Sequence, residues 1–159
     1  MATFELAVRK VFALEGEHSN DPADPGGDTW YGITKRDHPD IPWPPDLEQA
    51  KAIYHANYWH PLWDKLASEE VAAELLDYAV VAGPKTATLL AQRALNRLGW
   101  KLDEDGVFGV YTLDALNITT EESFLMEYRT EQIVRAVKLG EERPQLKKFL
   151  RGWIRRALL

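Results

Sequence analysis

A mainly α-helical fold is predicted for this chain of 159 residues. Apolar residues recur at helical spacing along most of its length, capping residues and Gly-Pro breaks punctuate those stretches, and turn-rich composition is confined to short segments. With 45% apolar residues and six tryptophans the chain can bury one sizeable core, and it shows no internal repeat and no linker able to divide two domains. The expectation is a single globular domain over residues 1–159, with at most a small β-hairpin after the first helix.

The first helix is expected from about Thr3 to Leu14, with Phe4, Val8, Val11 and Phe12 on one stripe and Gly16 near its end. From Ser19 to Gly32 the chain holds Pro22, Pro25, Gly26 and Gly27, a composition that favours tight turns or a short hairpin over a helix. A Pro-rich break, Pro39–Pro45, follows. Asp46 reads as an N-cap with Gln49 as its capping-box partner, opening a helix that Pro61 ends. Ser68 caps the next helix, whose first turn places Glu69 and Glu70 at the positive end of the dipole. Gly83-Pro84 stops that helix and starts another, which runs to Gly99 with Ala87, Leu90, Ala91, Ala94, Leu95 and Leu98 inward. A loop around Asp103–Gly109, read as a glycine turn before a short helix, leads to two closing helices, about 120–139 and 144–157, separated by Gly140.

Composition excludes several classes of function. Without cysteine there are no disulfides, thiolate nucleophiles or thiolate metal sites. His18, His38, His55 and His60 lack zinc-peptidase spacing, and Asp21, Asp24 and Asp28 match a calcium loop only loosely, so neither metal nor cofactor is expected. The first residues mix Glu5, Arg9 and Lys10 into the apolar run, so neither a membrane span nor a usual export signal is expected. The net charge of −6 combines +6 on residues 143–159 with −12 on the remainder, which argues against nucleic-acid binding. The closing helix has Leu146, Phe149, Leu150, Trp153 and Leu158 on one side, with Lys147, Lys148, Arg151, Arg155 and Arg156 mostly off it. It is expected to dock on the core, leaving a basic face available to anionic wall polymer, lipopolysaccharide or membrane lipid.

Glu15 continues the stripe of the first helix, because positions 4, 8, 11, 12 and 15 share one face. A carboxyl on the core side loses solvation, which raises its pKa and suits it to donate a proton near neutral pH. The alternative is a surface glutamate at a frayed helix end. The following loop supplies a second carboxylate at Asp24, glycines at Gly26 and Gly27, and a hydroxyl at Thr29. Glycoside cleavage uses such groups: one carboxyl protonates the leaving oxygen, another group activates water or stabilises positive charge, and glycines let a sugar chain approach the backbone.

The run Leu14-Glu15-Gly16 with Asp21-Pro22-Ala23-Asp24-Pro25-Gly26-Gly27-Asp28-Thr29-Trp30-Tyr31-Gly32-Ile33-Thr34 resembles the signature of glycoside hydrolase family 108, the N-acetylmuramidases of phages and bacterial secretion clusters. The resemblance continues through Tyr54, Asn57-Tyr58-Trp59 and Pro61-Leu62, and through Asp77-Tyr78-Ala79-Val80 and Gly83-Pro84. Asp105-Gly106-Val107-Phe108-Gly109 with Thr112-Leu113 resembles the family's C-terminal peptidoglycan-binding segment. The resemblance implies a lysozyme-like domain with a catalytic motif region over about 1–83 and a peptidoglycan-binding-like helical region over about 84–159. It implies Glu15 as general acid, Asp24 orienting water or stabilising charge, and Thr29 positioning the water; Asp24 and Thr29 also read as turn-stabilising residues. Glu17, where the family commonly has glycine, and Val81-Ala82, where relatives carry a polar residue, depart from its pattern.

Among the aromatics most are expected in the core, with Tyr31 and Tyr54 as the candidates to line a sugar cleft. Asp103, Asp105, Gly106 and Gly109 read as a structural turn. The implied function is that of an endolysin hydrolysing the bond between N-acetylmuramic acid and N-acetylglucosamine. Such an enzyme, expected as a monomer, waits in the host cytoplasm until release and acts on the wall in the periplasm. The rival is a non-catalytic peptidoglycan-binding or secretion-accessory protein.

Overall fold

Seven of the fourteen residues in Glu69–Ala82 are buried, among them Val71, Leu75, Leu76 and Tyr78, so this helix has neighbours on most of its sides. The structure, a computed structural model, describes residues 1–15, 18–20 and 28–159, with Glu15, Ser19, Asn20 and Asp28 described by backbone alone. Among the described residues there are seven α-helices: α1 (Phe4–Glu15), α2 (Leu47–Tyr58), α3 (Glu69–Ala82), α4 (Pro84–Arg97), α5 (Val110–Ile118), α6 (Glu121–Glu142) and α7 (Lys147–Ala157). Three short strands, β1 (His18–Asn20), β2 (Asp28–Trp30) and β3 (Ile33–Thr34), form an antiparallel sheet between α1 and α2 in sequence. The small antiparallel element expected after the first helix is present and carries a third strand of two residues.

Helix α3 is the axis of the fold, with α1, α2, α4 and α6 packed around it. Its buried alanines, Ala72, Ala73 and Ala79, let those helices approach closely, while Leu75 and Leu76 fill the space between them. Each fully buried leucine contributes roughly 2 kcal/mol of hydrophobic stabilisation. One apolar cluster runs from Ala2, just before the first helix, and Val8 on it, through Trp63 and Leu90 to Phe124 and Tyr128 on α6. The regions before and after Gly83 therefore share a single core.

The local signals behave as expected. The Asp46 side chain accepts from the Gln49 N–H at 2.8 Å while Gln49 Oε1 accepts from the Asp46 N–H at 3.0 Å, completing the capping box. Ser68 Oγ accepts from the Val71 N–H at 3.0 Å. Gly83 has φ +88 and hands the chain to Pro84 at the start of α4, a conformation open to glycine and closed to most other residues.

The carboxy-terminal third differs from the sequence reading. Helix α6 passes through Gly140 without a break and ends at Glu142, where Arg143 and Pro144 redirect the chain. Gly140 is buried, and the side chains of Lys147 and Leu150 lie 3.7 and 3.8 Å from where a Cβ would stand. It serves as a place where α7 comes close to α6. On α7, Trp153 and Ala157 turn inward, whereas Phe149, and Leu158 just past its end, remain 47% and 64% exposed. The docked stripe is narrower than the apolar pattern suggested, because this helix is covered from one side only.

Candidate active site

The last turn of α1 meets the sheet through aromatic contacts. Phe12 lies 5.4 Å from the Tyr31 ring and meets Tyr54 edge-on at 4.9 Å. Glu15, three residues on and so on the same side of the helix, is the final residue of α1. The side chain of Glu15, and Asp24, Gly26 and Gly27 entirely, lie outside the described residues.

Strands β2 and β3 are joined by Tyr31 and Gly32, with Trp30 paired to Ile33 across the turn. Both turn residues have positive φ, 51 and 74, as a two-residue type I′ hairpin requires. Gly32 accepts this conformation readily. For Tyr31 it costs about 1–2 kcal/mol, offset by the contact with Phe12 and by the Tyr54 hydroxyl, which donates to the Tyr31 carbonyl at 2.8 Å.

Thr29 is paired with Thr34, so their side chains leave the same face of the sheet. Thr34 Oγ1 donates to Asp37 Oδ2 at 2.7 Å and accepts the Asp37 N–H at 3.2 Å. The Thr34 hydroxyl, followed by Arg36, holds the Asp37 carboxyl below its ordinary pKa. Thr34, Asp37, His38, Tyr58 and Val80 line a cleft of about 160 Å³ between the sheet, α2 and the end of α3. Tyr54 also lines this cleft although it is only 2% exposed, with Phe12 and Tyr58 against its ring, whereas Tyr31, partly exposed, is not among the lining residues. Tyr54 therefore supports the turn from beneath. Asp37 and His38 were not singled out by the sequence as site residues; the one local signal was a threonine three positions before the aspartate.

A wider groove of about 700 Å³ lies beside the turn at 103–109, lined by Trp100, Asp103, Tyr111 and Asp114. Tyr111 is 79% exposed, so an aromatic face and carboxylates stand open together. The turn itself is held by buried Gln92, which accepts the Gly106 N–H and donates to Asp105 and the Val107 carbonyl. Among the described residues no group of three or more histidine or acidic side chains is placed to hold a metal ion, and no helix is long and apolar enough to cross a membrane.

A cleft that sets tyrosine rings beside a carboxylate and an imidazole has the kind of lining that suits polar, ring-bearing chains such as glycans. Residues 8–83 match the family model described as glycosyl hydrolase 108. Residues 86–158 match the model of a predicted peptidoglycan domain. Among solved structures the chain is similar to Brucella abortus SagA at 28% identity and a TM-score of 0.74, covering 97% of this chain and 88% of that one. No curated protein matches the chain. The protein is thus a glycoside hydrolase of the cell-wall class with peptidoglycan as its partner.

Proposed function

We propose that the enzyme is a muramidase that hydrolyses the bond from N-acetylmuramic acid to N-acetylglucosamine, with Glu15 as the general acid. The observation that carries this reading is the position of Glu15 as the last residue of α1, one turn beyond the Phe12 contact with Tyr31, inside the segment matched to glycosyl hydrolase 108. Glu15 protonates the glycosidic oxygen, Asp24 stabilises charge at the anomeric carbon or orients water, and Thr29 positions that water. Tyr31, Gly26 and Gly27 let the sugar chain lie close to the backbone.

We extend the proposal to an endolysin role, in which a monomeric enzyme is held in the host cytoplasm and reaches the periplasmic wall on release. Mass spectrometry of sacculi digested by the parent and by Glu15→Gln tests the core of it. The parent should yield fragments ending in reducing muramic acid, and the variant should lose at least about 10²-fold in rate. Release of amino groups in place of sugar reducing ends, or a variant as fast as the parent, would overturn the assignment.

A further inference from the structure

A third concavity, of about 250 Å³, lies between α3, α6 and α7 and contains three arginines, Arg135, Arg143 and Arg156. Arg156 is neutralised by Asp77, with Nη2 to Oδ1 at 2.6 Å and Nε to Oδ2 at 3.1 Å. Arg135 donates to the Tyr78 hydroxyl at 3.4 Å. Among the described residues neither Arg135 nor Arg143 has a carboxylate within ion-pair distance, so two positive charges stand uncompensated over a floor of Ala136, Leu139 and Trp153. Like charges in one concavity repel unless an anion enters, and a guanidinium fork matches a carboxylate with two hydrogen bonds.

The cavity lies at the seam of the two matched segments: Tyr78 and Val81 come from the first, the arginines and Trp153 from the second. Val80, adjacent in sequence to Val81, lines the cleft beside the sheet. The two concavities therefore open on neighbouring faces of the last turn of α3, a helix about 10 Å across with its side chains. Four extended amino acids reach roughly 13 Å.

We propose that this arginine cavity binds the carboxylates of the peptide stem carried by muramic acid, while the glycan occupies the cleft across α3. The inference rests on the muramidase reading for the placement of the glycan. Alanine methyl groups and the methylene chain of a diamino acid would meet Leu139 and Trp153, and stem carboxylates would meet Arg135 and Arg143.

The test is calorimetric titration of the full chain with a free stem tetrapeptide and with the same peptide amidated at its carboxylates. The parent should bind the free acid and lose about tenfold or more in affinity for the amidated form. Arg135→Gln and Arg143→Gln should each weaken the free acid by a similar factor, and Arg151→Gln, exposed on α7 outside the cavity, should not. Arg143 is itself exposed, so its variant should melt with the parent even if Arg135→Gln does not fold. Equal binding of acid and amide, an equal loss in Arg151→Gln, or no binding at millimolar peptide would overturn the proposal. Failure of the muramidase reading is scored separately, by the absence of new reducing ends from intact sacculi, whatever the peptide titrations show.

Discussion

The Tyr54 hydroxyl donates a hydrogen bond of 2.8 Å to the backbone carbonyl of Tyr31, a residue whose φ of 51 lies in the left-handed region. One side chain from α2 thus holds the hairpin turn at the rim of the cleft. Tyr54→Phe keeps the ring and removes the donor, leaving a partly buried carbonyl unpaired. The expected loss is about 1–2 kcal/mol, read as a fall of roughly 2–8 °C in Tm for a domain of this size. Activity should fall further than stability alone explains, because the relaxed turn moves Tyr31. A variant with the melting point and turnover of the parent would show that the Phe12 contact alone sets the turn.

His60 makes folding pH-dependent. Its Nδ1 accepts the Leu62 N–H at 3.2 Å, capping a short 3₁₀ turn at Pro61–Lys65, and burial beside Phe108 and Trp63 pushes its pKa below the ordinary 6.5. In the interval between the two values the unfolded chain binds more protons than the folded one. The stabilisation is therefore complete above about pH 6.5 and is lost as pH falls through the lower folded value. His60→Asn retains an acceptor for the cap but does not titrate. Melting curves between about pH 7 and pH 5 should show a smaller decline for the variant than for the parent; equal declines would assign the dependence to other groups.

How much of this was legible in the sequence depended on how local each cause was. Asp46, Ser68 and Gly83-Pro84 mark helix ends through neighbours within four residues, so their patterns suffice. Gly140 looks the same whether it ends a helix or admits another, and only the approach of Lys147 and Leu150 distinguishes the cases. Gly32 advertised a turn, but the left-handed Tyr31 is set by Phe12 and Tyr54, 19 and 23 positions away. Asp37 entered the cleft because Thr34 binds it, a contact with a weak sequence signature. Thr29 and Tyr31 came from the resemblance and the loop composition, and the hairpin register explains how the strand and its turn carry them.

Gln92, only 3% exposed, holds the 103–109 turn with three hydrogen bonds of 2.9 to 3.1 Å. Gln92→Ala should cost about 2–3 kcal/mol in chemical denaturation, since each bond is worth roughly 1 kcal/mol and the turn cannot regain all its partners. Gly106→Ala should cost at least about 2 kcal/mol, because its φ is +72 and the new Cβ would lie 2.7 Å from the Lys85 carbonyl oxygen. Asp105 adds an acid-side effect. The Val107 N–H and then Gln92 hold its carboxyl below the ordinary 3.8, so that contribution is present above this value and is lost as pH falls beneath it.

Asp77 and Arg156 join α3 to α7 through a two-bond fork, with side chains 15% and 26% exposed. Arg36 and Asp37 form an ion pair of similar chemistry, but at 66% and 57% exposure. Solvent decides between them: the exposed pair should show a coupling near zero, whereas the sheltered fork should show more than about 1 kcal/mol in a double-mutant cycle. Arg156→Lys preserves the charge but cannot form the fork, so it should cost about 1–2 kcal/mol. Because α7 is otherwise held mainly by Trp153, Ala157 and its approach to Gly140, that loss should appear as local detachment. Limited proteolysis should then cut faster near residues 143–146 in Arg156→Lys than in the parent, while Arg36→Lys leaves that rate unchanged. Equal cutting in all three proteins would mean that apolar packing alone retains α7 and that the fork only orients Arg156 within its cavity.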